Sequence, residues 1–342
     1  MTGDKLDGFL DGILDEEDAS DDTQADGFLS DIELDDEPSE DKQAQIDESQ
    51  DIPYSEGRGC KVYYTSSEDM SMVPDESVHL VVTSPPYNAD WAYGSHDDSM
   101  DYAEEYLPML ARVFNECWRV LKPTGRLCVN VPSLLRGGAK GGQAIAADIA
   151  TMLNNRSGPW LYRQDYPYKD IYSCIEDTNF VMREQISWNK GFNTDGLAPN
   201  GSFPRPVGVL LNNMHEVILV FQKPGDRSYD DMPDDVIEDS KIVKKNEDLC
   251  DDVWTIHPEN HDFKFAEEER VPPFPKELPE RCIKLWTYKG DTVLEPFTGR
   301  GTTLKAASEL GRESIGFEIR GSLRMDIESY VGMNNSGLGE WV

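Results

Sequence analysis

Two short stretches hold residue types that could do chemistry. In the first, Thr83-Ser84-Pro85-Pro86-Tyr87-Asn88, a hydroxyl, a proline pair and an aromatic ring follow one another directly. A Pro-Pro pair sets φ twice and removes two backbone donors, so the carbonyls of Ser84 and Pro85 have no neighbouring N–H to occupy them. A hydroxyl acceptor at Ser84, a carbonyl at Pro85 and the flat face of Tyr87 suit a planar group with an exocyclic amine. A nucleobase amino group fits that description. A rigid turn capping a strand, with Tyr87 as a half-buried aromatic, is the competing reading of this stretch alone.

The second stretch is Val293-Leu294-Glu295-Pro296-Phe297-Thr298-Gly299-Arg300-Gly301-Thr302-Thr303. It reads as strand, sharp acidic turn, glycine loop and helix, the helix running from Leu304 to Leu310. Glycines let the backbone approach a ligand closely, and a helix start offers unpaired N–H groups. A lone glycine pair is weak evidence for a nucleotide site; joined to Ser-Pro-Pro-Tyr in one chain it becomes specific.

The flanking sequence supplies elements to position these stretches. Cys60–Tyr64 and Ser77–Val82 have the apolar content of buried strands, and Ser67–Met70 reads as the start of a short helix. Between Tyr102 and Leu121, Tyr106, Leu107, Leu110, Val113, Phe114, Cys117 and Val120 recur with helical spacing, which predicts an amphipathic helix over the sheet. Lys122-Pro123-Thr124-Gly125 stops it, and Arg126–Val131 is the next strand. Val181–Trp188 and Glu216–Phe221 read as strands around a long insertion, residues 189–215, rich in Gly, Pro and Asn. Loops of that length inside a domain are usually functional. A helix through Arg281–Tyr288 follows Pro272–Pro279, and Glu313–Ile319 is the last strand. Glu318 stands about 20 residues past the glycine loop, where an acid can hold ribose hydroxyls in dinucleotide folds.

Together these residues resemble the S-adenosylmethionine-dependent DNA amino-methyltransferases of the permuted type, in which the Thr-Ser-Pro-Pro-Tyr motif precedes the cofactor motif. The resemblance extends from about Tyr54 to Tyr330 and includes the phrase Trp118-Arg119-Val120-Leu121-Lys122-Pro123-Thr124-Gly125-Arg126. It implies an α/β fold with a doubly wound, mostly parallel, seven-stranded sheet, the last two strands forming a hairpin, and a catalytic domain over 53–332. It implies Ser84, Pro85, Pro86 and Tyr87 as catalytic residues. It places S-adenosylmethionine on Glu295, Phe297, Gly299, Gly301, Thr302 and Glu318, with Phe274 beside its methionine part and Asp69 or Glu68 beside its adenine. Helix-start packing of Phe274 and helix N-terminal charge at Asp69 are the alternatives.

Double-stranded DNA is the implied substrate, with the target base flipped from the stack. Insertion 189–215 is the candidate for base readout, through Arg205, Asn193, Asn200 and Asn212, ahead of 225–252. Arg136 and Lys140, in a glycine-rich loop, are candidates for the phosphate backbone, a plain surface loop being the alternative. Ring-carbon methylation of cytosine needs a cysteine nucleophile, typically after proline, and the chain has no Pro-Cys. In the family that the chain resembles, Ser at the first motif position leans toward cytosine, so the resemblance implies cytosine N4, with adenine N6 as the alternative. RNA or protein amide methylation and a non-catalytic DNA-binding scaffold are further alternatives. No nuclease signature is evident, so a restriction endonuclease would be a separate chain. The enzyme is expected as a monomer or homodimer.

The formal charge of −34, from 66 acidic and 32 basic side chains, is unusual for a protein that meets phosphate. Residues 1–56 hold 21 acidic and two basic side chains, a net of −19, which leaves −15 for the remainder. Residues 1–52 have too few apolar side chains to offset the entropy of ordering and read as a disordered acidic tail, with Asp7-Gly8-Phe9-Leu10 repeated at Asp26-Gly27-Phe28-Leu29. The acidic body suggests a salt-loving archaeal host or its virus, because concentrated salt screens self-repulsion. The six cysteines are scattered without a Cys-x-x-Cys, which predicts reduced thiols and no metal site. The absence of a ~20-residue apolar run or a signal-like start predicts a cytoplasmic protein without membrane contact.

Overall fold

The computed structural model describes residues 52, 54–87, 92–93, 96–97, 100–137, 141–154, 178–191, 200–229, 232–243, 248–258 and 274–333. The expectation for the acidic tail therefore lies outside the described residues, as do those for Asn193 and Lys140.

Nine strands form the main sheet. In chain order they are β1 (Tyr54–Gly57), β2 (Cys60–Tyr63), β3 (Val78–Thr83), β4 (Leu121–Val131), β5 (Val181–Asn189), β6 (His215–Gln222), β7 (Val253–Thr255), β8 (Thr292–Glu295) and β9 (Glu313–Phe317). Their spatial order is β1-β2-β9-β8-β3-β4-β6-β5-β7. The run from β2 to β4 is parallel, β6 lies antiparallel between β4 and β5, and β7 joins β5 in parallel. The β5–β6 hairpin is the expected one. The sheet exceeds the expected seven strands by its two edges, β1, folded back on β2, and the three-residue β7.

Alternation along the central strands sends side chains into two cores. Val81, Leu127, Val129, Val217 and Leu219 enter one, covered by α1 (Leu107–Val120) and α2 (Ile145–Leu153). Leu80, Val82, Cys128, Ile218 and Val220 enter the other, covered by α4 (Glu277–Trp286) and α5 (Thr302–Glu309). Between them in sequence lies α3 (Asp234–Ser240), and α6 (Arg324–Val331) packs Ile327 and Val331 beside β2. The buried face of α1 comprises Leu107, Leu110, Ala111, Val113, Phe114, Cys117 and Val120, the stripe read from spacing plus Ala111. Each large apolar side chain buried this way contributes roughly 1.5–3 kcal/mol.

Three local expectations change. Ser67–Met70 forms turns instead of a helix, because the Ser66 and Asp69 side chains bind the N–H groups of Glu68 and Ser71 and compete with helical bonding. Tyr102–Tyr106 is a π-turn, and the α-helix begins only at Leu107. Lys122–Gly125 does not separate helix from strand. It lies within β4 as a bulge, with Val78 opposite Leu121 and Leu80 opposite Arg126, and Thr124 at φ 67°. Among the described cysteines none forms a disulfide, and no described helix is long and apolar enough to cross a membrane.

Candidate active site

The central crossover brings the two chemical stretches together. β3 and β8 are parallel neighbours, with Leu80 beside Val293 and Val81 beside Leu294, so the loops that follow them leave the same edge of the sheet. Thr83 Oγ1 donates a 2.5 Å hydrogen bond to Glu295 Oε1 across 212 positions of sequence. Thr303 Oγ1 donates to Glu295 Oε2 at 2.8 Å and the Phe297 N–H to Oε1 at 3.1 Å.

Glu295 is only 2% exposed. Burial pushes its carboxyl up to about 8, and Glu318 pushes the same way, against the pull of those three donors. No described cation pairs with it. Glu318, also buried, accepts from the Gly299 N–H at 2.8 Å and from Arg320 Nε at 3.1 Å.

The glycine loop turns in little space. The Thr298 N–H donates to the Phe317 carbonyl at 2.8 Å and the Gly301 N–H to the Thr298 carbonyl at 2.9 Å. Gly301 stands at φ 88° just before α5, and a Cβ there would meet Val331 Cγ2 at 2.9 Å. Thr302 is buried at the helix start, while Phe297 is half-buried against the first core and Phe274 against the second. Two buried carboxylates, Glu318 paired with Arg320 and Glu295 without a described cation, suit a ligand with cationic and hydroxyl groups.

The Ser-Pro-Pro-Tyr loop is held from beneath. Tyr106 Oη donates to the Pro86 carbonyl at 2.6 Å. No described group bonds the carbonyls of Ser84 or Pro85, as the missing donors require. Ser84 Oγ lies 2.8 Å from Tyr87 Oη, and Tyr87 Oη donates to Glu216 Oε2 at 3.0 Å. Asn130 Nδ2 donates to Tyr87 Oη at 3.1 Å and to Glu216 Oε2 at 2.7 Å. Lys190 Nζ closes the cluster with a 2.5 Å ion pair to Glu216 Oε1. Burial, and then the Glu216 charge, push the Tyr87 phenol well above its ordinary value.

Sequence reasoning missed Thr83, Thr303, Asn130, Lys190 and Glu216. The available signal was a polar residue at the end of an apolar strand: Asn130 near the end of β4, Glu216 at the start of the antiparallel β6. Strand direction puts both at the edge where β3 ends. Asn130 is 1% exposed, and its Oδ1 has no partner among the described residues.

No described contact joins Asp69, Glu68 or Arg205 to these two clusters. Asp69 is exposed and caps the Ser71 N–H, while Glu68 pairs with Arg112. Arg136 lies on a short ribbon, Leu135–Gly137, paired with Gly141–Gln143, and its side chain is outside the described residues. Arg205 is exposed in a turn whose N–H bonds the Ser202 carbonyl at 2.8 Å. A cavity of 510 Å³ lined by Lys122, Gly125, Arg126, Gln222, Arg227 and Trp286 opens at the opposite ends of the strands, away from both motifs. No described group of His, Cys, Asp or Glu side chains could hold a metal.

Residues 78–326 match the DNA methylase family, and the chain belongs to it. Among its relatives, the type II methyltransferase M.MjaI of Methanocaldococcus jannaschii is 29% identical over 306 residues, which cover 82% of this chain and 93% of that protein. M.MjaVI of the same organism is 43% identical over 189 residues, 55% of this chain and 81% of the relative. A DNA modification methylase from Thermus thermophilus, described as putative and complexed with S-adenosyl-L-methionine, superposes with a TM-score of 0.56 at 26% identity, covering 81% of this chain and 96% of that one.

Proposed function

We propose that the protein is a site-specific DNA methyltransferase acting on the exocyclic N4 amine of cytosine in a flipped-out base. The adjacency of the two loops carries this reading: Thr83, one residue before Ser84, is hydrogen-bonded to Glu295, the acid of the glycine loop. S-adenosylmethionine, the family's cofactor, supplies an electrophilic methyl group on a sulfonium. Glu295 and Glu318 would hold its polar groups, with Gly299, Gly301, Thr302 and Phe297 forming the wall and Phe274 flanking the methionine part. Ser84 Oγ and the Pro85 carbonyl would accept the amine N–H groups, turning the nitrogen lone pair toward the methyl carbon. Placement of this kind accounts for much of a barrier reduction. Tyr87 would stack on the base, a contact worth ~1–3 kcal/mol in single-strand binders.

Ser84 favours cytosine; adenine N6 is the second reading, since its amine presents the same donors. Arg205, Arg136 and Lys140 remain candidates for DNA contact, and Asp69 for the adenine. A separate restriction endonuclease is the expected partner, given the type II relatives. Long-read sequencing and nucleoside mass spectrometry of DNA from cells carrying wild type or Ser84→Ala test the reading together. N4-methylcytosine at one motif, lost in the variant, is expected; N6-methyladenine selects the second reading, and unmodified DNA from a cofactor-binding protein overturns both. The acidic surplus is read as adaptation to high salt. Folded structure should then fall sharply at low potassium chloride, and a melting temperature indifferent to salt removes that part.

A further inference from the structure

Glu216 sits beside the Ser-Pro-Pro-Tyr loop but belongs to neither motif. It lies on β6, 129 positions beyond Tyr87, is 6% exposed, and keeps its charge compensated by Lys190, whose ammonium also lies 5.2 Å from the Trp188 ring centre. A carboxylate accepts and cannot donate. Tyr87 must therefore donate to Glu216, and the Asn130 amide must turn its nitrogen toward the same oxygen. Tyr87 Oη, its one proton committed, can meet Ser84 at 2.8 Å only by accepting. Ser84 must then donate to Tyr87, and the Ser84 lone pairs are the only hydrogen-bonding capacity its hydroxyl has left.

We infer that Glu216 is a positioning residue that acts through Tyr87 to make Ser84 Oγ a one-way acceptor, so that the site takes a base with an amino group and rejects one with a carbonyl oxygen at the same place. This rests on the amino-methyltransferase reading above and extends it to the selection of the base. A carbonyl would need Ser84 to donate to it, which gives up the bond to Tyr87 and leaves two hydroxyl oxygens 2.8 Å apart with no proton between them, because the Tyr87 proton is held by Glu216. A site built to pair a polar group leaves that group unpaired when the wrong partner enters, and discrimination follows. Lys190 Nζ, 2.5 Å from Glu216 Oε1, balances a buried charge that would be costly in isolation.

The test is methyl transfer from tritiated S-adenosylmethionine to PCR-amplified genomic DNA, which carries no methyl marks. Glu216→Gln, whose amide can also donate, is expected to lower kcat about 10²-fold, the scale of a misplaced reacting group, with cofactor Kd unchanged within about twofold. Tyr87→Phe cuts the chain at its middle, so adding Glu216→Gln to it should cost no more than about twofold further. A merely structural Glu216 would give additive losses, and a single variant with wild-type kcat would equally overturn the inference. Should Glu216→Gln fail to fold, Glu216→Gln with Lys190→Met removes both charges and carries the same expectation.

A readout independent of activity separates this from failure of the functional reading. Ultraviolet difference titration against Tyr87→Phe isolates the Tyr87 phenol, which Glu216→Gln should ionise at lower pH than in the wild type. If the wild type methylates no DNA but the phenol moves, the hydrogen-bond chain stands and the reaction assigned to it falls. A phenol that does not move overturns the chain itself.

Discussion

Two buried glutamates flank the site and are treated in opposite ways. Glu216, on the Ser-Pro-Pro-Tyr side, has its own ammonium at 2.5 Å. Glu295, on the glycine-loop side, has only two hydroxyls and one backbone N–H, and its carboxyl is pushed up to about 8. Under the proposed function, the two ligands would account for the difference. S-adenosylmethionine carries a sulfonium and an ammonium, so a carboxylate there can be left for the ligand to neutralise. A nucleobase is neutral, so a carboxylate beside it must be neutralised by the protein.

The largest expected effect is on stability against pH. Glu295 has a raised value in the folded chain against an ordinary 4.5, so folding takes up a proton between the two. The stability it contributes is full below about pH 4.5 and is lost as pH rises through about 8, as much as about 5 kcal/mol at ~1.4 kcal/mol per unit. Urea unfolding of the ligand-free protein should show this loss, Glu295→Gln should abolish it, and an equal slope in both proteins would break the comparison.

Lys190→Met comes next. It strands Glu216 as a buried, unpaired acid and should cost about 3 kcal/mol in urea unfolding, with most of that recovered when Glu216→Gln is added. If the double variant is as unstable as the single, the pair is not a compensated unit.

Glu295→Gln should then weaken S-adenosylmethionine binding by ~10–100-fold, from losing a charge-assisted hydrogen bond of about 1.5–3 kcal/mol. Calorimetry should give that loss while Lys190→Met leaves cofactor affinity within about twofold; comparable losses in both would merge the two regions into one. The smallest effect is Gly301→Ala, about 1–2 kcal/mol by thermal melting, because alanine at φ 88° is strained and its methyl crowds Val331. Weaker cofactor binding should accompany it, with the Tyr87 phenol on the other side of the site unmoved.

Much of this was legible in the sequence because it is local. A proline pair ends a strand wherever it occurs, and a glycine before a helix permits a left-handed turn, so Ser84–Tyr87 and Glu295–Thr303 could be placed by chemistry near at hand. The apolar stripe of α1 followed from a 3.6-residue period, which needs no partner to be read. Asp69 was less legible, since a charge near a strand end says nothing of where its side chain points; here it accepts from the Ser71 N–H of its own turn.

Residue types and spacing alone therefore determined the chemistry on offer, the strands and helices that bear it, and the order of the two motifs. Only the tertiary structure decided which distant residues share a site. The placement of β8 beside β3 joins Glu295 to Thr83, and the antiparallel entry of β6 beside β4 brings Glu216 and Lys190 to Tyr87 and Asn130. Strand order is set by how whole layers bury their apolar faces, a property of the sum of contacts and not of any short stretch.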